Sequence, residues 1–179
     1  NILLTDFSNP FYKDFVLPIG RLREHRKAAK RADIIIVTKC PKDLNPALEI
    51  EIKKRIRFYS SATISFTNIT YEGLINHHNK KTSLDTKKKY LLVTSIANPN
   101  SIYEYLNENK VQFTAKKYRD HHNFTKTQIQ EIITISKKHD AIITTEKDWM
   151  RLKETELVNA VSLDILRLRM KIEFIHSKE

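Results

Sequence analysis

The chain carries two glycines in 179 residues, Gly20 and Gly73. A glycine-rich loop that cradles phosphates with backbone amides is therefore excluded within it. Its one cysteine, Cys40, rules out an internal disulfide and gives no sign of a zinc site. Cys40 follows an apolar strand, and a plain packed thiol is its expected role. No run approaches the ~18 apolar residues of a membrane-spanning helix, and no signal peptide opens the sequence. Residue 1 is Asn, and Ile2-Leu3-Leu4 reads as a strand already under way, which suggests a piece that begins mid-domain. Acidic residues are the minority charge, 21 against 32 Lys and Arg, for a net charge of +11. That balance favours an anionic partner: nucleic acid, phosphorylated lipid, an anionic membrane face or a nucleotide. Hydrophobic residues make up 40%, enough for a core. The length fits one domain or two small lobes.

Strand and helix signals alternate. Asn1 to Thr5 reads as a strand, and Arg21 to Arg31, after the break Pro18-Ile19-Gly20, as a basic helix. Ile34-Ile35-Ile36-Val37 is an unbroken β-branched run that suits a strand buried on both faces. Asn45-Pro46 predicts a helix start, with Asn45 as the cap and Pro46 at the first helical position. That helix runs to about Arg57, with Leu48, Ile52 and Ile56 on one face. Ser61 to Tyr71 alternates as an exposed strand. Asn76 to Lys89, with two His and five Lys, reads as a flexible connection and lobe boundary. A second series follows: strand 90–94, helix 100–109, strand 111–118, a helix from a Thr125/Gln128 capping box, strand 141–145 and a short helix 147–153. Met170, Ile172 and Phe174 alternate as a last strand, expected to pair with Ser61 to Tyr71. The alternation implies α/β layering in both halves.

Three polar clusters carry chemistry. In Tyr118-Arg119-Asp120-His121-His122, after Lys116 and Lys117, a carboxylate stands beside imidazoles. Such a carboxylate holds an imidazole in one tautomer and raises its basicity. His121 then suits orienting a catalytic carboxylate or accepting a hydroxyl proton; the plain alternative is capping or solvation. Arg21 and Arg23 offer planar forks that match phosphate oxygens at a helix start. The plain alternative, a solvated basic face, suits Arg26, Lys27, Lys30 and Arg31 better. Thr38-Lys39 ends a buried strand, where α/β sheets place ligands; an ordinary strand end is the even alternative. Pro41 stands where guanine readers carry Asp, which argues against guanine. Thr145, Glu146 and Lys147 present a hydroxyl and a cation to nucleotide phosphates, or else cap a short helix. Trp149 suits packing better than base stacking. His77-His78 has no partner at metal spacing, and no metal ligands are expected in this chain.

Several segments are familiar together and in this order: Leu17-Pro18-Ile19-Gly20-Arg21-Leu22-Arg23-Glu24, Lys30 to Lys39, Ile96-Ala97-Asn98-Pro99, Asp120-His121-His122 and Thr144-Thr145-Glu146-Lys147-Asp148. The chain resembles the tetraacyldisaccharide 4'-kinases of lipid A synthesis in their Bacteroidetes-like form, from Asn1 to about Leu152. The resemblance implies the C-terminal part of a P-loop NTPase-like core (1–60), a ribbon strand and linker (61–89), a smaller α/β lobe (90–160), and a return ribbon strand and tail (161–179). A two-stranded β ribbon joins core and lobe. It implies a membrane-associated kinase that moves the ATP γ-phosphate to the 4'-hydroxyl of an acylated glucosamine disaccharide 1-phosphate. ATP and Mg2+ would be held mainly by a preceding half, with the Walker A loop and catalytic acidic segment. The fragment alone would then be inactive. His121 matches the family's loop His, which works with a catalytic Asp, and Arg23 the family's Arg after Leu-Pro; Arg21 is variable in the family. Ser95 stands where the family has Gly. The implied location is the cytoplasmic face of the bacterial inner membrane, peripherally bound to its anionic surface, with no nucleic acid partner. The rival from composition is a basic nucleic-acid-binding module, for which no recognition helix or aromatic-rich binding strand speaks.

Overall fold

The computed structural model describes residues 1–120 and 122–175. They divide into two compact units: Asn1–Thr70 with the chain from Lys171 onward, and Tyr71–Met170.

In the first unit, strands β1 (Ile2–Asp6), β2 (Ile34–Cys40) and β3 (Thr63–Ile75) pair in parallel in that order. Helix α1 (Pro46–Arg57) begins where the sequence predicts. The Asn45 side chain accepts from the Ala47 amide at 2.8 Å, and Pro46 needs no partner for the amide hydrogen it lacks. Ile52 and Ile56 pack from α1 onto Ile35, Val37 and Phe66 of the sheet. Two expectations are corrected here. Leu48 is exposed, so the buried stripe of α1 is narrower than the spacing suggests. Strand β2 buries one face only: Ile35 and Val37 are in the core, while Ile34 is exposed and Ile36 half-buried. The Cys40 thiol is buried, and desolvation pushes it up to about 11.

The basic helix expected over Arg21–Arg31 is also corrected. Only Arg26–Arg31 is helical, as a 3-10 turn whose N-cap is His25. The reason is Asp14. Its carboxylate accepts from the Phe15 amide at 2.8 Å and the Arg21 amide at 3.2 Å, while Leu22 N donates to Phe15 O at 2.9 Å. Those amides are thereby claimed by a loop. A Cβ at Gly20 would lie 2.2 Å from Phe15 O and 2.5 Å from an Asp14 carboxylate oxygen. Gly20→Ala is therefore expected to destabilise the first unit by about 1–3 kcal/mol. An unchanged denaturant midpoint would show that the loop gives way freely.

In the second unit the 76–89 stretch is more ordered than its composition suggests. Strand β4 (Lys81–Thr82) folds back antiparallel on Leu74 and Ile75 of β3, through a turn with Asn79 at φ 62°. The segments that follow are β5 (Lys89–Thr94), α2 (Asn100–Glu108), β6 (Gln112–Lys117), α3 (Lys126–Ser136), β7 (Ala141–Thr145), α4 (Glu146–Leu152), α5 (Leu157–Ala160) and β8 (Asp164–Phe174). The parallel order is β6-β5-β7-β8. The central strand β5 is buried on both sides and sorts its residues by parity. Tyr90 and Leu92 pack with Ile102 and Leu106 of α2. Leu91 and Val93 pack with Ile129 and Ile132 of α3. This is a doubly wound layer, and its strand order reverses between β5 and β7. Ligand crevices of such sheets open at the C-terminal strand ends beside that reversal.

Strands β3 and β8 are neighbours and run through both units as a two-stranded ribbon. Its antiparallel sense is fixed in the first unit by Ile175 N donating to Phe66 O at 2.8 Å, and in the second by Arg169 pairing with Glu72 at 3.3 Å.

Candidate active site

The parallel strands of the second unit bring three turns to one edge: Ser95–Pro99 after β5, Tyr118–Thr125 after β6, and the junction of β7 with α4. Asp148, buried in the first turn of α4, ties two of them together. Its carboxylate accepts hydrogen bonds from Thr94 Oγ1 at 3.1 Å, Ser95 N at 3.0 Å, Thr145 Oγ1 at 2.8 Å and Ser95 Oγ. Arg151 adds a cation 3.8 Å away and donates to Ser95 Oγ at 3.4 Å. The sequence reading names Thr145 as a cap and misses Asp148 as the hub. The local signal was present, since Thr-x-x-Asp is a capping pattern. The connection to Ser95, 53 residues earlier, was not. It also accounts for the serine at this turn, where a glycine would leave Asp148 with one donor fewer.

The turn after β6 is clamped on both flanks of position 121. Asp120 meets Lys147 at 3.2 Å, which joins it to the start of α4. On the other flank, the His122 ring stacks on Tyr118 at 5.2 Å, and Phe124 meets both rings edge-on. Gln128 Oε1 lies 2.7 Å from His122 Nε2 and accepts from the Thr125 amide at 2.9 Å. With Oε1 as acceptor, His122 carries its hydrogen on Nε2. The Thr125 capping box is formed as the sequence predicts. Desolvation pushes the Tyr118 phenol up to about 12. His121 itself lies outside the described residues. Lys117 reaches the Ala97 carbonyl at 3.2 Å, and Glu146 is exposed.

The remaining site candidates lie in the first unit. Thr38 and Lys39 sit at the C-terminal end of β2. Thr38 Oγ1 donates to Thr5 O at 3.3 Å, and Lys39, at φ 59° beside a bulge, pairs with Asp6 at 2.7 Å. Burial pushes the Asp6 carboxyl up, but hydrogen bonds from Lys39 and the Ser8 amide outweigh it and leave it below its ordinary value. Arg21 and Arg23 diverge. Arg21 Nε is held by Asp14 at 3.2 Å. Arg23 lines a cavity of about 490 Å3 with His25, Arg26, Arg31, Leu3 and Phe11, and makes no ion pair among the described residues. The helical turn expected to begin at Arg21 begins instead at Arg26, so neither arginine is at its first position. Among the described residues no group of three His, Cys, Asp or Glu is placed to hold a metal, and no helix is long and apolar enough to cross a membrane.

Sequence comparison bears on this arrangement. The family model described as LpxK: Tetraacyldisaccharide-1-P 4'-kinase matches residues 1–179. The chain belongs to the tetraacyldisaccharide-1-P 4'-kinase family. The match runs past Leu152, where the likeness legible in the sequence stops. Among curated relatives, a tetraacyldisaccharide 4'-kinase of Flavobacterium johnsoniae is 38% identical over 99% of this chain and 51% of its own length. One from Flavobacterium psychrophilum is 41% identical over 86% and 45%, and one from Bacteroides fragilis 33% identical over 100% and 51%. The chain thus spans about half the length of the LpxK-family relatives it matches. The crystal structure of LpxK from Aquifex aeolicus in complex with ATP superposes with a TM-score of 0.61 at 18% identity. It covers 98% of this chain and 48% of that one, which shows a common fold.

Proposed function

We propose that this chain is the second half of a lipid A 4'-kinase. The whole enzyme would transfer the ATP γ-phosphate to the 4'-hydroxyl of tetraacyldisaccharide 1-phosphate. The observation that carries this reading is the family match over residues 1–179. In the reaction, a bond forms from the 4'-oxygen to the γ-phosphorus as the bond to the β–γ bridging oxygen breaks. ADP leaves, and the hydroxyl proton passes to a base. Catalysis of this kind rests on positioning and charge. His121, flanked by the clamped Asp120 and His122, would act with a catalytic carboxylate from the other half. Arg23, exposed beside its cavity, would hold phosphate oxygens. Thr38, Lys39, Thr145, Glu146 and Lys147 are the further nucleotide-side candidates. Of these, Thr38, Lys39, Thr145 and Lys147 already have partners in the chain, so any phosphate contact would compete with them. Mg2+ would be held mainly by the other half, as the resemblance implies. The acylated substrate implies peripheral attachment at the cytoplasmic face of the inner membrane. The nucleic-acid reading has net charge in its favour and nothing else.

The test is transfer of label from γ-labelled ATP to the disaccharide 1-phosphate by the full-length enzyme. Arg23→Ala is expected to lower kcat/KM about tenfold, the scale of one lost charged hydrogen bond. Arg23→Lys should recover only part, because an ammonium lacks the planar fork. Absence of labelled product from the unaltered enzyme would overturn the reading.

A further inference from the structure

The loop that precedes Arg21 has an unusual surface. Phe15, Leu17 and Ile19 are 59%, 58% and 85% exposed, and Val16 adds to them. Single exposed apolar residues are normal, whereas a contiguous group marks an interaction site. This group is not a consequence of loose backbone. Leu17 N donates to Leu22 O at 2.9 Å, Gly20 N to Val16 O at 3.2 Å and Arg26 Nε to Asp14 O at 2.6 Å, while the Arg26 guanidinium lies over the Phe15 ring at 4.7 Å. The Phe15 amide, with Arg21, holds the Asp14 carboxyl below its ordinary value, so the latch is ionised at neutral pH. The fold thus spends ordered hydrogen bonds to present apolar side chains outward.

The charge around this tip is one-sided. Lys13, Arg21 and Arg26 stand against two carboxylates, and both of those are paired within the unit, Asp14 with Arg21 and Glu24 with Arg31. An apolar tip collared by cations complements a surface that is anionic outside and hydrocarbon beneath. We propose that residues 15–19 dock this protein on an anionic bilayer. Leu17 and Ile19 enter the headgroup boundary, and the cations sit at lipid phosphates. The inference rests on the kinase reading for its biological sense, since an acylated phosphate-bearing substrate is met at a bilayer, but it is tested without turnover.

Cys40 is buried with its thiol pushed up to about 11, so Ile19→Cys gives the 179-residue chain a single reactive thiol for an environment-sensitive fluorophore. Vesicles of phosphatidylcholine containing phosphatidylglycerol should raise and blue-shift its emission, and pure phosphatidylcholine should not. The same label at Phe58→Cys, 83% exposed and outside residues 15–19, should stay silent. In co-sedimentation, Leu17→Ser with Ile19→Ser should weaken vesicle binding at least tenfold at unchanged thermal midpoint. Lys13→Gln should weaken it roughly fivefold, as for one cation at an anionic surface. A silent label at position 19, or undiminished binding of the double serine variant, overturns the proposal. So does a label shielded in the full-length enzyme, which would show that another stretch of the protein covers the tip. Transfer to detergent-dispersed substrate separates the two readings: the double serine variant should keep it. A failure of transfer by the unaltered enzyme sinks the kinase reading and leaves the vesicle result standing.

Discussion

Asp148→Ala is expected to cost the second unit about 3–5 kcal/mol, the scale for removing one partner from a buried charged network. The side chain is fully buried and accepts four hydrogen bonds from two turns. Alanine leaves Thr94 Oγ1, Ser95 N and Ser95 Oγ facing a void, and each orphaned donor carries its own desolvation cost. Arg151 loses the carboxylate beside it. Asp148→Asn keeps the volume and one oxygen, but turns an acceptor into a donor that faces other donors. Its cost should fall between those of Ala and the unaltered chain. Ser95→Gly should cost less than either, because it removes one donor and leaves the others satisfied. Chemical denaturation read by Trp149, on the same helix as Asp148, checks the order. Equal midpoints for the unaltered chain and Asp148→Ala would mean that the network adds nothing net.

His121→Ala in the full-length enzyme is expected to lower kcat at least tenfold. A side chain that moves or steers a proton is generally worth about 10²–10⁴ in rate. The residues beside it show why the effect should be catalytic. Asp120 is tied to Lys147 and His122 is packed on Tyr118 and bonded to Gln128, so the loop keeps its anchors when the imbalance at 121 is introduced. The thermal midpoint should therefore move little, and KM for either substrate should change less than kcat. Turnover within a factor of two of the unaltered enzyme, a margin small beside that range, would remove His121 from the reaction.

What was legible in the sequence was local. Asn45 with Pro46, and Thr125 with Gln128, announced two helix starts because each cap is complete within a few residues. The unbroken apolar run of β7 and the alternation of Met170, Ile172 and Phe174 announced strands for the same reason. Reading failed where a distant group takes over the backbone. Asp14 claims the Arg21 amide seven residues away and thereby cancels a helix that propensity favours over 21–25. The one-sided burial of β2 could not be read either, because four β-branched residues look alike whichever faces are covered. In the second unit, Asp120 and Lys147 stood out by type. The residue that ties the turn after β5 to the start of α4 did not, since Asp148 looks like any acid in a first helical turn until Ser95 is brought to it.

The shared ribbon has a consequence for synthesis. Thr70 and Lys171 touch at a sequence separation of 101 positions, so β3 leaves the ribosome long before β8 does. During that interval the nascent protein carries an unmated strand edge, open to any passing extended segment. Neither unit can complete its sheet until the last strand arrives, and contacts of such long range form slowly. A chaperone that shelters β3 would have most to do in those seconds, and a stop codon ahead of Asp164 would strand both units at once.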